Sequence, residues 1–271
     1  MTQQGRRRSL RRRPCVVQGA RKPCIGAWRL DALDADVSRV AVACDGSESV
    51  AVLHLPQDLG TTTPTAAAAA ITACGLNLGG VGQWTTQFVV ADGSGGLLAF
   101  QSQLSMAPRA WHVSGACAPL GLPSMDVAPA VSQVRLLREA VRLPSADLWL
   151  VAAGPPRSGV VIARGGSTPE LCGMMTGLEL IDDGNAPFAL SLDAGGTHLA
   201  IGAGPPANPE LSEGRGQVLW ATLDTSKSTN CEIAATSVLD LNAGLFQQAS
   251  PETWVRAPNV ILVSEIDGNG L

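Results

Sequence analysis

Two short apolar runs joined by an Asp-Gly turn limit this chain's fold more than any other feature. Residues 39–43 read RVAVA, a Cys-Asp-Gly-Ser-Glu turn follows, and residues 49–55 read SVAVLHL. Aliphatic runs of that length are strands, and Asp-Gly readily adopts the backbone angles of a tight hairpin. The device recurs. Residues 87–91 (QFVVA) and 97–100 (LLAF) flank DGSGG, and residues 148–153 (LWLVAA) and 160–163 (VVIA) flank GPPRSG. Residues 198–203 (HLAIGA) and 217–223 (QVLWATL) flank a longer loop, and residues 260–263 (VILV) precede Asp267-Gly268.

The hairpins begin near residues 40, 88, 148, 199 and 260, at intervals of 48, 60, 51 and 61. Repeats of that period, each holding a few strands, predict an all-β chain built as a β-propeller of four-stranded antiparallel blades. A lone small sheet cannot bury both faces, so such sheets stack side by side. About five units are expected, near residues 28–56, 71–113, 131–164, 187–224 and 232–271. The last is short of a full blade, so the ring is expected to be incomplete or closed by another segment. An ungapped internal match supports repetition: ALDADVSRVAVAC at 32–44 aligns with SLDAGGTHLAIGA at 191–203. Residues 131–143 fit the period poorly; helical spacing competes there with two strands, QVRLL and AVRLP, and two strands are expected. The low-complexity run TTTPTAAAAA at 61–70 reads as a loop.

One unit carries a family likeness. It runs Leu192-Asp193-Ala194-Gly195-Gly196, then Leu199-Ala200-Ile201-Gly202, then Gly216-Gln217-Val218-Leu219-Trp220. Over residues 27–271 the chain resembles the WD40-repeat propellers. Ala221 follows Trp220 where that family has Asp, and no Gly-His dipeptide precedes a blade, so the family's buried His-Asp network has no counterpart visible in the sequence. The resemblance implies a non-catalytic scaffold that binds other proteins, as a subunit of a larger assembly.

Charge divides the chain. Residues 1–30 hold nine Lys or Arg and no acid, whereas the remainder holds ten basic and twenty-three acidic residues. Polyanions could bind the tail at residues 6–13 but would be repelled by the body. Residues 1–26 are expected to form a flexible basic tail. It reads as a nuclear localisation signal, a mitochondrial transit peptide or a solvated segment of no special role. No run of about eighteen apolar residues is present, so no membrane span is expected. Seven Cys without a C-x-x-C clip, and no secretory h-region, read as reduced intracellular thiols in cytoplasm or nucleus, with the mitochondrion as the alternative.

The residues that could carry chemistry are few. His54, His112 and His198 lie in or beside strands, and there is no G-x-S-x-G elbow. No His or Cys pair has zinc spacing. Glu265, Asp267 and Asn269 start like a calcium loop, but a plain Asp-Gly turn explains them better. Asp182-Asp183-Gly184-Asn185 reads as a turn, and Trp149 and Trp220 as core. No catalytic, cofactor-binding or metal-ligating residue is assigned and no cofactor is expected. The alternative to the scaffold is a lactonase-like propeller hydrolase with a metal-dependent carboxylate site, for which Asp193, Asp267 and Asn269 are the candidates.

Overall fold

The computed structural model describes residues 27–32, 38–44, 49–55, 72–78, 84–103, 105–123, 128–144, 146–178, 186–204 and 217–241. These form four antiparallel sheets in which neighbours in sequence are neighbours in space. The first contains β1 (Ala27–Ala32), β2 (Arg39–Cys44), β3 (Ser49–His54) and β4 (Thr72–Asn77). The second contains β5 (Thr85–Ala91), β6 (Leu97–Gln103) and β7 (Met106–Val113). The third contains β8 (Val134–Arg142), β9 (Leu148–Pro156), β10 (Gly159–Arg164) and β11 (Glu170–Met174). The fourth contains β12 (Ala186–Leu192), β13 (His198–Gly204), β14 (Gln217–Asp224) and β15 (Ala234–Asp240).

The all-β, blade-like architecture expected from the hairpins is present. The matched stretches 32–44 and 191–203 run from the end of the first strand through the second strand of the first and fourth sheets. Unit limits differ from expectation. Residues 72–77 close the first sheet instead of opening the second, and residues 234–240 close the fourth instead of opening a fifth. The hairpin at 260–268, the tail at 1–26, the run at 61–70 and the group at 182–185 lie outside the described residues.

Burial on both faces explains why the central strands are continuous apolar runs. In β9, Leu148, Leu150 and Ala152 face the fourth sheet, joining Leu199, Ile201, Leu219 and Ala221. The alternate residues Trp149, Val151 and Ala153 face the second, joining Phe88, Leu98 and Phe100. A third cluster joins Ala41, Val50 and Val52 to Val89, Leu97 and Val113, between the first and second sheets. Each fully buried large side chain in these layers contributes about 1.5–3 kcal/mol. Three interlayer cores thus hold four sheets in a row.

One further expectation is corrected. Residues 134–142 are a single strand, not two. A register slip between Leu137 and Glu139 lets Leu137 and Ala140, three residues apart, both pack into the core shared with the second sheet.

Candidate functional site

In the second, third and fourth sheets, the turn joining the first strand to the second carries an aspartate: Asp92, Asp147 and Asp193. All three turns lie at the same end of the strand stack: His112 beside Asp92 reaches Gly166, next to the Gly165 that lies against Asp147, and Gly196 beside Asp193 lies against Pro144.

Asp92 closes its turn from within. Its carboxylate accepts the Ser94 N–H at 2.6 Å, the Ser94 hydroxyl at 2.9 Å and the Gly96 N–H at 2.9 Å. His112, on β7, approaches the same carboxylate through Nε2 at 2.7 Å. Its Nδ1 lies 2.7 Å from the carbonyl oxygen of Gly166, beyond β10 in the third sheet. Burial works to raise the Asp92 carboxyl, but the bonds from His112, Ser94 and Gly96 outweigh it and hold the group below its ordinary value. A neutral imidazole has one N–H for these two acceptors, and an imidazolium has two. With both nitrogens engaged, His112 serves as a clamp between the second and third sheets and leaves no ring nitrogen for a substrate.

Asp193 was a candidate ligand. Its Oδ1 accepts the N–H groups of Thr197 and His198, each at 2.7 Å, and its Oδ2 accepts the Thr197 hydroxyl at 3.1 Å. The backbone N–H of His198, against a small opposing effect of burial and with help from Thr197, lowers this carboxyl to about 2. The Asp193 Oδ2 also lies 3.6 Å from the His198 ring, which stacks on Trp220 at 5.6 Å. Both oxygens are committed to the turn, so Asp193 does not fit an axial metal site, and no catalytic step is derived through a metal. Asp267 and Asn269 lie outside the described residues.

Asp147 differs. Its side chain makes no hydrogen bond or ion pair with another described residue. Its carboxylate lies over Gly165, where an added Cβ would come 2.7 Å from both oxygens and 2.8 Å from the Trp149 ring. Asp147, Arg164, Gly165, Ser228 and Thr229 line a cleft of about 320 Å³ between the third and fourth sheets. Arg164 is held there by the Thr229 carbonyl at 2.7 Å and by Glu170 at 3.4 Å. The cleft therefore combines an uncommitted carboxylate, a positioned guanidinium and two hydroxyl side chains.

Several features escaped the sequence reading. Cys74 on β4 is bonded to Cys117, and Cys172 on β11 to Cys231. Among the described residues four cysteines are thus paired, contrary to the expected reduced thiols. The partners lie 43 and 59 residues apart and meet only because successive sheets stack. Arg109 is buried against Trp84 at 4.1 Å and Trp111 at 5.5 Å, with its Nε donating to Gln101 at 2.7 Å. That cluster is a cation–π brace in the sheet. Trp149 is core as expected, and Trp220 is half-buried. His54 lies on β3. No helix among the described residues is long and apolar enough to cross a membrane.

No family model matches the chain, and no curated protein does. Among solved structures it is similar to the Pseudomonas aeruginosa periplasmic gluconolactonase PpgL. The TM-score is 0.42 and the identity 11%, over 78% of this chain and 71% of that one. The non-catalytic WD-repeat scaffold is corrected here: no WD-repeat family model and no curated protein matches, and the similar structure is described as a gluconolactonase.

Proposed function

We propose that this protein is a hydrolase of small cyclic esters, acting in the cleft between the third and fourth sheets. The observation that carries this reading is the Asp147 carboxylate, left without an intramolecular partner among the described residues beside the positioned Arg164. In such a cleft a carboxylate takes a proton from water as the water oxygen attacks the ester carbonyl carbon. The guanidinium faces the charge that develops on the carbonyl oxygen. The ring C–O bond then breaks, the ring oxygen leaves as an alcohol after protonation, and the product is a hydroxy acid. Ser228 and Thr229 supply hydroxyls suited to a polar ligand.

The test is proton release from a panel of five- and six-membered lactones, followed with a pH indicator. The wild-type protein is expected to exceed the buffer rate on at least one of them, with or without a chelator. Asp147→Asn is expected to lower kcat/KM by about 10²–10⁴. No turnover of any lactone by the wild-type protein, or full turnover by Asp147→Asn, refutes the proposal.

A further inference from the structure

Arg164 is placed in the cleft by two acceptors, and each lies two residues before a disulfide-bonded cysteine. Glu170 precedes Cys172 on β11, and Thr229 precedes Cys231 in the turn that follows β14. The segments 170–176 and 229–235 run side by side in the same direction, with a parallel bridge between Thr176 and Ala234. Among the described residues they are joined at three levels. At the cleft end Arg164 spans Glu170 and Thr229, at 3.4 and 2.7 Å. In the middle is the Cys172–Cys231 bond. At the far end the Thr176 N–H donates to the Ile233 carbonyl at 3.2 Å, and the Ala235 N–H to the Thr176 carbonyl at 2.8 Å.

The far end is set in the core, where Met175 and Ile233 are buried between the third and fourth sheets. The cleft end is not. Arg164 and Glu170 are 38% and 51% exposed and Thr229 is on the surface, so water competes for the same hydrogen bonds. The middle level therefore decides whether the turn stays against β11. That turn is one 3-10 turn, Ser228–Asn230, closed by the Cys231 N–H donating to the Ser228 carbonyl, with Cys231 at φ 58°. A residue with a Cβ holds this left-handed conformation at a cost, so the turn relaxes once its sulfur is released.

We infer that the Cys172–Cys231 disulfide is a redox control on the cleft. Oxidised, it holds the Ser228–Thr229 wall against Arg164. Reduced, it lets that wall leave while the bonds at Thr176 keep the sheets together. The reductant is a dithiol. One of its thiolates attacks the sulfur of Cys172, the partly exposed partner, and buried Cys231 leaves as a thiolate and takes up the proton that the first thiol gave up. The second thiol of the reductant then attacks the mixed disulfide and frees Cys172 as a thiol, and the reductant ends as its own cyclic disulfide. The effect on turnover rests on the cleft being a hydrolase site; the release of Arg164 does not.

The test titrates the wild-type protein with dithiothreitol and divides each sample. Alkylation with mass spectrometry reports which pair has opened, and far-ultraviolet circular dichroism reports the fold. The rate at which p-hydroxyphenylglyoxal modifies Arg164, mapped on its peptide, reports the guanidinium. Arg164 modification is expected to rise about tenfold as Cys172 and Cys231 become alkylated, with the circular dichroism unchanged. In lactone assays kcat is expected to fall by about 10–10² with KM little changed, because a misaligned guanidinium weakens transition-state stabilisation more than substrate binding. Cys172→Ser is expected to show fast Arg164 modification with or without dithiothreitol. Arg164 modification that follows the opening of Cys74–Cys117, or stays constant as Cys172–Cys231 opens, overturns the inference. So does a Cys172–Cys231 pair that opens only as the fold is lost, or an unchanged kcat with Arg164 released. No lactone turnover in either redox state refutes the hydrolase, and Arg164 modification then decides this inference by itself.

Discussion

Asp92→Ala and Asp193→Ala remove the same turn-closing carboxylate from two sheets, and the structure predicts unequal losses. At Asp92, four donors lose their acceptor. Those of exposed Ser94 turn to water, whereas the Gly96 N–H and His112 Nε2 are buried or nearly so. Each buried donor left unsatisfied costs about 1–3 kcal/mol, giving about 3–5 kcal/mol for the pair. At Asp193 the carboxylate is 32% exposed and Thr197 is on the surface, so water replaces it and the loss is about 1 kcal/mol. Asp92→Ala is therefore expected to fall about 4–8 °C further in Tm than Asp193→Ala. Unfolding followed by tryptophan fluorescence and far-ultraviolet circular dichroism at pH 5 measures both. The pH dependence has a definite sign. The folded Asp92 carboxyl lies below 3.8, so its contribution is complete above that value and is lost as pH falls through the folded pKa. The gap between wild type and Asp92→Ala must close in acid. Equal Tm losses at pH 5, or a gap that widens below pH 3.8, would refute the assignment of His112 and Asp92 as an intersheet clamp.

Other consequences are equally direct. Cys172→Ser opens a loop of 59 residues and is expected to destabilise the protein by about 4 kcal/mol, read from urea unfolding. Alkylation of the unreduced, denatured protein should leave Cys74, Cys117, Cys172 and Cys231 unmodified, and mass spectrometry finding them labelled would contradict the pairing. Gly165→Ala drives a methyl against the Asp147 carboxylate and the buried Trp149 ring, and should cost about 1–3 kcal/mol while altering tryptophan emission.

The hairpins were legible because their two sides are apolar at every position and their turns are rich in Gly, as at 87–100 and 148–163. The outer strands were not. β4 reads TACGLN and β15 reads AATSVLD, each weakly apolar because only one face of an outer strand meets the core. β8 misled because its apolar residues do not alternate: Val134 and Leu137 share one core, and the bulge after Leu137 breaks the alternation again. The candidate site was largely hidden. Asp147 sits in PSAD, whose Pro, Ser and Asp mark an ordinary turn and no chemistry, and Arg164 reaches the cleft from a strand end. The Asp92–His112 pair spans twenty residues and two strands, so no local motif announces it. Asp193 was visible for its turn chemistry, and that chemistry is what occupies it.

The two disulfides among the described residues neither cross nor enclose one another along the chain. One loop runs from Cys74 to Cys117 and the other from Cys172 to Cys231, while the remaining three cysteines all precede residue 74. A protease cut within either loop leaves every fragment covalently attached. A single cut between residues 118 and 171 yields two pieces that no bond joins. Among the contacts that would still hold them are the Phe88–Phe100–Trp149 layer, the Leu137 N–H to Ser102 bond and the His112 clamp. The protein is, in its covalent wiring, two separately tied parcels joined by one strand of chain. Under pulling force from its ends, each parcel would shield its own loop from extension, and the length released would come from the chain outside the two loops.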